Sequence, residues 1–322
     1  MTNMTHCDSR IVSLLPAATE IAWMLGLGER LVGRSHECDV PEAVLKLPAL
    51  TRPRIDPALS SHEIHEAVGQ AMQLPQATSS SLFELDIDAL ASLAAATVLT
   101  QDTCDVCAIS GDDVHEAVRR SGHATRIVPL SATSLAGLWN DIRAVGEATG
   151  TLAKAREIIA RLQARCDSVA SRCQAIARAR GGTRPRVAVI EWLDPPMAAG
   201  NWVPEIVTLA GGHDALGRPG EHSHWITWAD IAVADPDVVI VSPCGFTLER
   251  ILAEVATEAI APHLANLRAA REGTLWAMDG HHLLNRPGPR LADSLEIMAE
   301  IFNPGSFRFA ATPRFAQKIV VK

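Results

Sequence analysis

A single apolar stripe constrains this chain more than any other feature. Between Gly150 and the pair Gly181-Gly182, the residues Leu152, Ala155, Ile159, Leu162, Cys166, Val169, Cys173 and Ile176 recur at steps of three and four. That spacing puts side chains on one face of an α-helix, and the glycines end it. The expected helix has about 29 residues and runs about 44 Å at about 1.5 Å per residue, enough to serve two separate halves of a molecule. Cys166 and Cys173 lie on the stripe and read as small core hydrophobes rather than reactive thiols.

On either side of this helix the same pattern is found. Apolar runs bounded by turn residues occur at 11–15, 97–100 and 125–128 before it, and at 187–190, 238–241 and 274–277 after it. Helical stretches such as 88–95 and 112–121 lie between them, and strands alternating with helices predict parallel βαβ units. The 322 residues are about twice a common single-domain length. The expected fold is therefore α/β: two Rossmann-like lobes with central parallel sheets, joined by a long backbone helix. Residues 1–133 form the N-terminal lobe, 134–182 the connecting helices and 183–322 the C-terminal lobe.

Composition removes several function classes. A net charge of -8 without any Lys/Arg run argues against nucleic acid as a partner. The first apolar run is broken by Pro16 and Glu20, which predicts no membrane insertion. Met1 to Arg10 has no basic segment leading into an apolar stretch, and the seven cysteines form no regular framework, so the expected location is the cytoplasm. Neither a phosphate-binding Gly-x-x-x-x-Gly-Lys-Ser/Thr, a dinucleotide Gly-x-Gly-x-x-Gly after a strand, nor a Gly-x-Ser-x-Gly elbow is present.

In parallel α/β sheets, ligands meet the loops that leave the C-terminal strand ends. Two such loops in the first half carry metal-binding residue types: His36 and Cys38 in one, Gln101, Asp102, Cys104 and Cys107 in the other. His36, Cys38, Cys104 and Cys107 would suit tetrahedral zinc if the loops meet, and Cys104 and Cys107 could instead exchange electrons or form a disulfide. A zinc- or thiol-dependent enzyme is the alternative that follows. In the second half, four of the seven tryptophans lie between residues 190 and 230 in a chain without tyrosine. Indole faces suit a large planar macrocycle, which singles out Trp192, Trp202 and Trp225 with the neighbouring Asn201. His281 and His282 offer imidazoles to a metal or a polar ligand edge.

The order of several segments resembles a known family. Ser13-Leu14-Leu15-Pro16-Ala17-Ala18-Thr19-Glu20, Leu85-Asp86-Ile87-Asp88-Ala89-Leu90, Asp194-Pro195-Pro196, Ala234-Asp235-Pro236-Asp237-Val238-Val239-Ile240 and Arg286-Pro287-Gly288-Pro289-Arg290-Leu291 are similar to stretches of the helical-backbone (class III, cluster A-I) periplasmic substrate-binding proteins. Within that family the chain is closest to the cobalamin-binding branch. The resemblance implies a non-catalytic protein that holds a corrinoid such as cobalamin in the cleft between two lobes. The candidate ligand contacts are Trp192, Asn201, Trp202, Trp225, Gln101, Asp102, His281 and His282; by resemblance Trp225 matches a cleft tryptophan of the cobalamin binders, Trp192 and Trp202 lie in its neighbouring loop, and His281 and His282 lie on the last cleft loop. It equally admits an iron-siderophore or haem ligand, since one scaffold serves many. The family's partner is an ABC transporter permease, against which the missing export signal argues.

Overall fold

The computed structural model describes residues 9–73, 82–101, 109 and 111–321. Strands and helices alternate along the chain as expected for the α/β class. The chain divides into two compact units. The first comprises Met1–Leu59, Glu66–Ala132 and Ala136–Arg161; the second comprises Ser60–His65, Thr133–Leu135 and Leu162–Lys322.

In the first unit the strands are β1 (Ile11–Ser13), β2 (Leu31–Arg34), β3 (Thr51–Pro53), β4 (Phe83–Leu85), β5 (Thr97–Gln101) and β6 (Arg126–Leu130). Four of them form a sheet in the order β2-β1-β5-β6, parallel throughout, while β3 and β4 make a separate antiparallel pair. Val12, Leu14, Val98, Val114 and Ala117 pack together as its core.

The second unit holds β7 (Arg186–Leu193), β8 (Pro196–Ala198), β9 (His213–Asp214), β10 (His224–Trp225), β11 (Val238–Val241), β12 (Leu275–Met278) and β13 (Ala316–Lys318). Their order is β10-β8-β7-β11-β12-β13, with β9 on β7. The three central strands, β7, β11 and β12, run parallel. Val238–Val241 is buried along its whole length, which is why this strand reads as a continuous β-branched run rather than as an alternation.

The apolar stripe forms the long helix Leu152–Ala179, of which 152–161 belongs to the first unit and 162–179 to the second. Ala155, Ile159, Leu162, Cys166, Val169 and Cys173 are all buried along it. Burial pushes the thiols of Cys166 and Cys173 up to about 11, so both stay protonated at neutral pH, in keeping with a packing role. Gly181 and Gly182 end the helix at φ 72 and 88, with Gly182 N donating to Ala177 O at 2.8 Å. Only glycine takes that left-handed path without strain. Arg165 fastens the helix to Leu291–Phe302 through Asp293 and Glu296, with Nε to Oε1 of Glu296 at 2.6 Å.

Candidate functional site

Because β7, β11 and β12 are parallel and in register, the segments that follow them leave one edge of the second unit's sheet. These are Glu191–Leu193, still within β7, then Ser242–Phe246, then Asp279–Leu284.

The turn after β12 is the most constrained of these. Asp279 is buried, and its carboxylate accepts from the backbone N–H of His282 at 2.6 Å and lies 3.0 Å from His282 Nδ1. Burial alone would raise this carboxyl, but the two hydrogen bonds from His282 and the nearby imidazoles bring it below its ordinary value. An ionised carboxylate can only accept, so the proton between the two groups sits on Nδ1 of His282. Gly280–Leu284 then winds through one π-helical turn. Its Gly280 and His281 N–H groups both donate to Phe246 O, at 3.0 and 2.9 Å, and Asn285 Nδ2 donates to Ser242 O at 2.9 Å. Gly280 is required here, since a Cβ would overlap the carbonyl oxygen of Pro243. Arg286, itself buried, donates from Nη2 to Nε2 of His281 at 2.9 Å.

The predicted tryptophans take different places. Trp202 is buried, and its indole N–H donates to Leu284 O at 2.7 Å, so it holds the histidine turn. Trp192 is half-buried, with its ring edge-on to Phe246 at 5.5 Å and its N–H donating to Ser61 O at 3.1 Å. Trp225 is 53% exposed on β10, and His65 meets its ring edge-on at 4.8 Å. Asn201 sits at φ 51, a left-handed position that asparagine tolerates, with its N–H on Glu221 O at 2.6 Å.

Residues not singled out from sequence fix these groups. Ser61 is fully buried, and both its N–H and its hydroxyl donate to Glu254 Oε1, at 2.8 and 2.7 Å. His65 reads from sequence as part of a solvated helix face, and only the assignment of Ser60–His65 to the second unit brings it to Trp225. Glu191 lies buried under the segment that carries Trp225, accepting from the Ser223 hydroxyl. Burial pushes its carboxyl up to about 7. Asp214 is likewise raised by burial, while His224 is lowered by it. Asp214 Oδ2 and His224 Nδ1 are buried without a hydrogen-bond partner among the described residues.

Of the first unit's predicted residues, Gln101 ends β5 opposite Leu130, and Asp102, Cys104 and Cys107 lie outside the described residues. His36 Nδ1 lies 2.7 Å from Thr51 Oγ1, and burial is the main cause that lowers the pKa of its imidazole. Cys38 is fully buried, with Thr19 Oγ1 at 3.0 Å and Ser35 Oγ at 3.4 Å from its sulfur. The described half of the predicted zinc set is thus engaged with hydroxyls.

The sequence signature of the periplasmic binding protein family matches residues 84–281. The uncharacterized ABC transporter substrate-binding lipoprotein YvrC of Bacillus subtilis (strain 168) is 20% identical over 304 residues, covering 93% of this chain and 81% of that protein. Among solved structures, a periplasmic heme binding protein from Pseudomonas aeruginosa superposes with a TM-score of 0.72 at 20% identity, covering 98% of this chain and 99% of the other. The periplasmic vitamin B12 binding protein BtuF of Vibrio cholerae gives a TM-score of 0.65 at 19% identity over 91% of this chain and 96% of its own. At such identities the structural likeness establishes the fold. These findings correct the expected cytoplasmic location, because the matched family is periplasmic and the matched relative is a lipoprotein. That expectation weighs charge and apolar order in Met1 to Arg10 together with the cysteine pattern, whereas the family is read from residues 84–281.

Proposed function

This chain belongs to the periplasmic binding protein family, and from that premise we propose that it captures a metal-bearing tetrapyrrole outside the cytoplasm and hands it to an ABC transporter permease. The family is one of solute binders, so the chain is a binding protein and not an enzyme. A corrinoid is the first reading of the ligand. The observation that carries it is Trp225, an indole left 53% exposed on the edge strand β10 and steadied by His65. An exposed indole held in one orientation offers a large apolar face to a flat ring at little cost in rotamer freedom. Likeness to a vitamin B12 binding protein supports this ligand class, and the partner follows from likeness to a transporter lipoprotein.

Haem is the second reading, favoured by the paired imidazoles of His281 and His282 and by likeness to a heme binding protein. Since the chain has no tyrosine, any protein ligand to haem iron would have to be histidine, methionine or cysteine.

Quenching of tryptophan fluorescence on titration with cyanocobalamin, aquocobinamide and haemin tests the proposal. At least one of them saturates the signal, and Trp225→Ala weakens that ligand about tenfold, the equivalent of about 1.4 kcal/mol. An unchanged dissociation constant in the variant would remove Trp225 from the site. No quenching by any of the three would remove the ligand class.

A further inference from the structure

Beneath the segment that carries Trp225, one buried carboxyl is the shared acceptor of two loops. Glu191 is buried on β7, and its carboxyl accepts from the Ser223 hydroxyl and from the Gly200 N–H. We propose that this carboxyl is a proton-operated latch: protonated, it keeps residues 217–226, and Trp225 with them, on the sheet, and its ionisation opens that segment while the rest of the second unit stays folded. The latch works in the protein alone, whichever ring Trp225 meets.

Three features support this role. First, the segment is pressed backbone to backbone onto the loop that holds Glu191. A Cβ on Gly200 would overlap Ser223 N, Glu221 O and the carbonyl carbon of His222, while the Asn201 N–H donates to Glu221 O at 2.6 Å and the Gly220 N–H to Asn201 O at 2.8 Å. Closed, this layer keeps water from the carboxyl. Second, the segment's hold on the sheet is short. β10 consists of His224 and Trp225, paired with Ala198 and Met197, and the Ile226 N–H then donates to Pro196 O at 3.0 Å. Asp214 Oδ2 and His224 Nδ1 are buried there without a hydrogen-bond partner among the described residues, and opening gives both to water, which lowers the cost of opening at this place. Third, the surroundings favour the neutral carboxyl. Asp214 on β9 repels the ionised form. His213 and His224 act on Asp214, and Arg218 and Glu221 act on His224; His222 lies in the same segment, and β8 and β11 contribute no titratable group. Burial outweighs the two hydrogen bonds and pushes the carboxyl up to about 7.

Opening returns Glu191 to water and to its ordinary value of 4.5. The closed form therefore keeps a proton that the open form gives up to solvent. Closure is fully favoured below 4.5 and weakens as pH rises to about 7, above which the loss is complete. With these two values the opening equilibrium rises about tenfold from pH 6 to pH 8. His224, lowered by burial, contributes the opposite slope below its ordinary value of 6.5, with or without Glu191. Because β10 presents the Trp225 indole, the proton on Glu191 sets how often that indole leaves its place. Glu191 is thus a positioning residue that acts through Ser223.

Hydrogen–deuterium exchange of the full chain, corrected at each pH for the intrinsic amide rate, tests the latch through peptides covering 217–226, with the strand Val238–Val241 as reference. The segment is expected to be less protected than β11 at both pH 6 and pH 8. Between those values the wild type loses about tenfold more of the segment's protection than Glu191→Gln does, since glutamine has no proton to release. Ser223→Ala is the second variant and removes the tie itself, lowering protection of the segment about fivefold at pH 6. Equal pH dependence in wild type and Glu191→Gln, protection of the segment equal to that of β11, or unchanged protection in Ser223→Ala would each overturn the latch.

Discussion

Gly280→Ala lowers the stability of the protein by about 2–4 kcal/mol, read as a lower urea midpoint, and weakens ligand binding in the fraction that still folds. The added methyl would overlap the carbonyl oxygen of Pro243 and stand 2.8 Å from Asn285 Nδ2. Pro243 O is backbone two residues beyond β11 and cannot swing aside as a side chain would. Relief comes only by moving the turn, which breaks the N–H donations of Gly280 and His281 to Phe246 O and carries His282 away from its place over the sheet edge. Gly69→Ala is the matched control. It lies in the helix Ser61–Met72 with nothing within 4 Å of its would-be Cβ, so alanine there is neutral or stabilises by up to about 1 kcal/mol. Equal effects at the two positions would refute the close approach at Gly280.

Glu191→Gln has its largest effect through pH. The carboxyl of Glu191 is pushed by burial from 4.5 up to about 7. Between those values the unfolded chain has released the proton that the folded chain retains, so folding takes up a proton and stability falls as pH rises from about 4.5 to about 7. Above that window the group weakens the native state by an amount on the order of 3 kcal/mol, since each tenfold change in proton affinity is worth about 1.4 kcal/mol. Glutamine keeps an oxygen for the Ser223 hydroxyl and carries no charge to bury. The variant is therefore more stable than wild type by about 1–3 kcal/mol at pH 8 and about equal at pH 4.5, checked by urea denaturation at both. Asp214 adds a slope of the same sign and His224 one of the opposite sign; both remain in the variant, although the charge of Asp214 also raises the Glu191 carboxyl, so its own slope changes when that carboxyl is removed. Parallel stability profiles for the two proteins would show that Glu191 is ionised in the native state.

The elements that sequence predicts well are those whose packing is written in their own period. The stripe from Leu152 to Ile176 becomes the helix Leu152–Ala179, and the β-branched run at 238–241 becomes β11 with the same bounds. Short edge strands carry no such period. β10 is two residues long and exists because His224 and Trp225 pair with Ala198 and Met197, a partnership no local pattern announces. The same limit applies at the candidate site. The tryptophan cluster and the His281-His282 pair stand out in composition, but their separate roles depend on contacts made across the fold. Trp202 is buried with its indole N–H on Leu284 O, whereas Trp225 is exposed on an edge strand. His282 lies against Asp279, whereas His281 accepts from Arg286. Glu191 escapes sequence reasoning because a glutamate in a strand looks solvated until the sheet is built around it, although its position inside the apolar run Val187–Leu193 is the one available sign.

X-ray diffraction from crystals grown with the tighter-binding probe, collected at the absorption edge of its metal, tests most directly whether the second unit's strand-end loops hold a tetrapyrrole. The expected map has one strong anomalous peak, with ring density around it at the sheet edge that carries Trp192 and Trp225. A peak remote from that edge, or none from crystals whose protein is saturated with ligand, would contradict it.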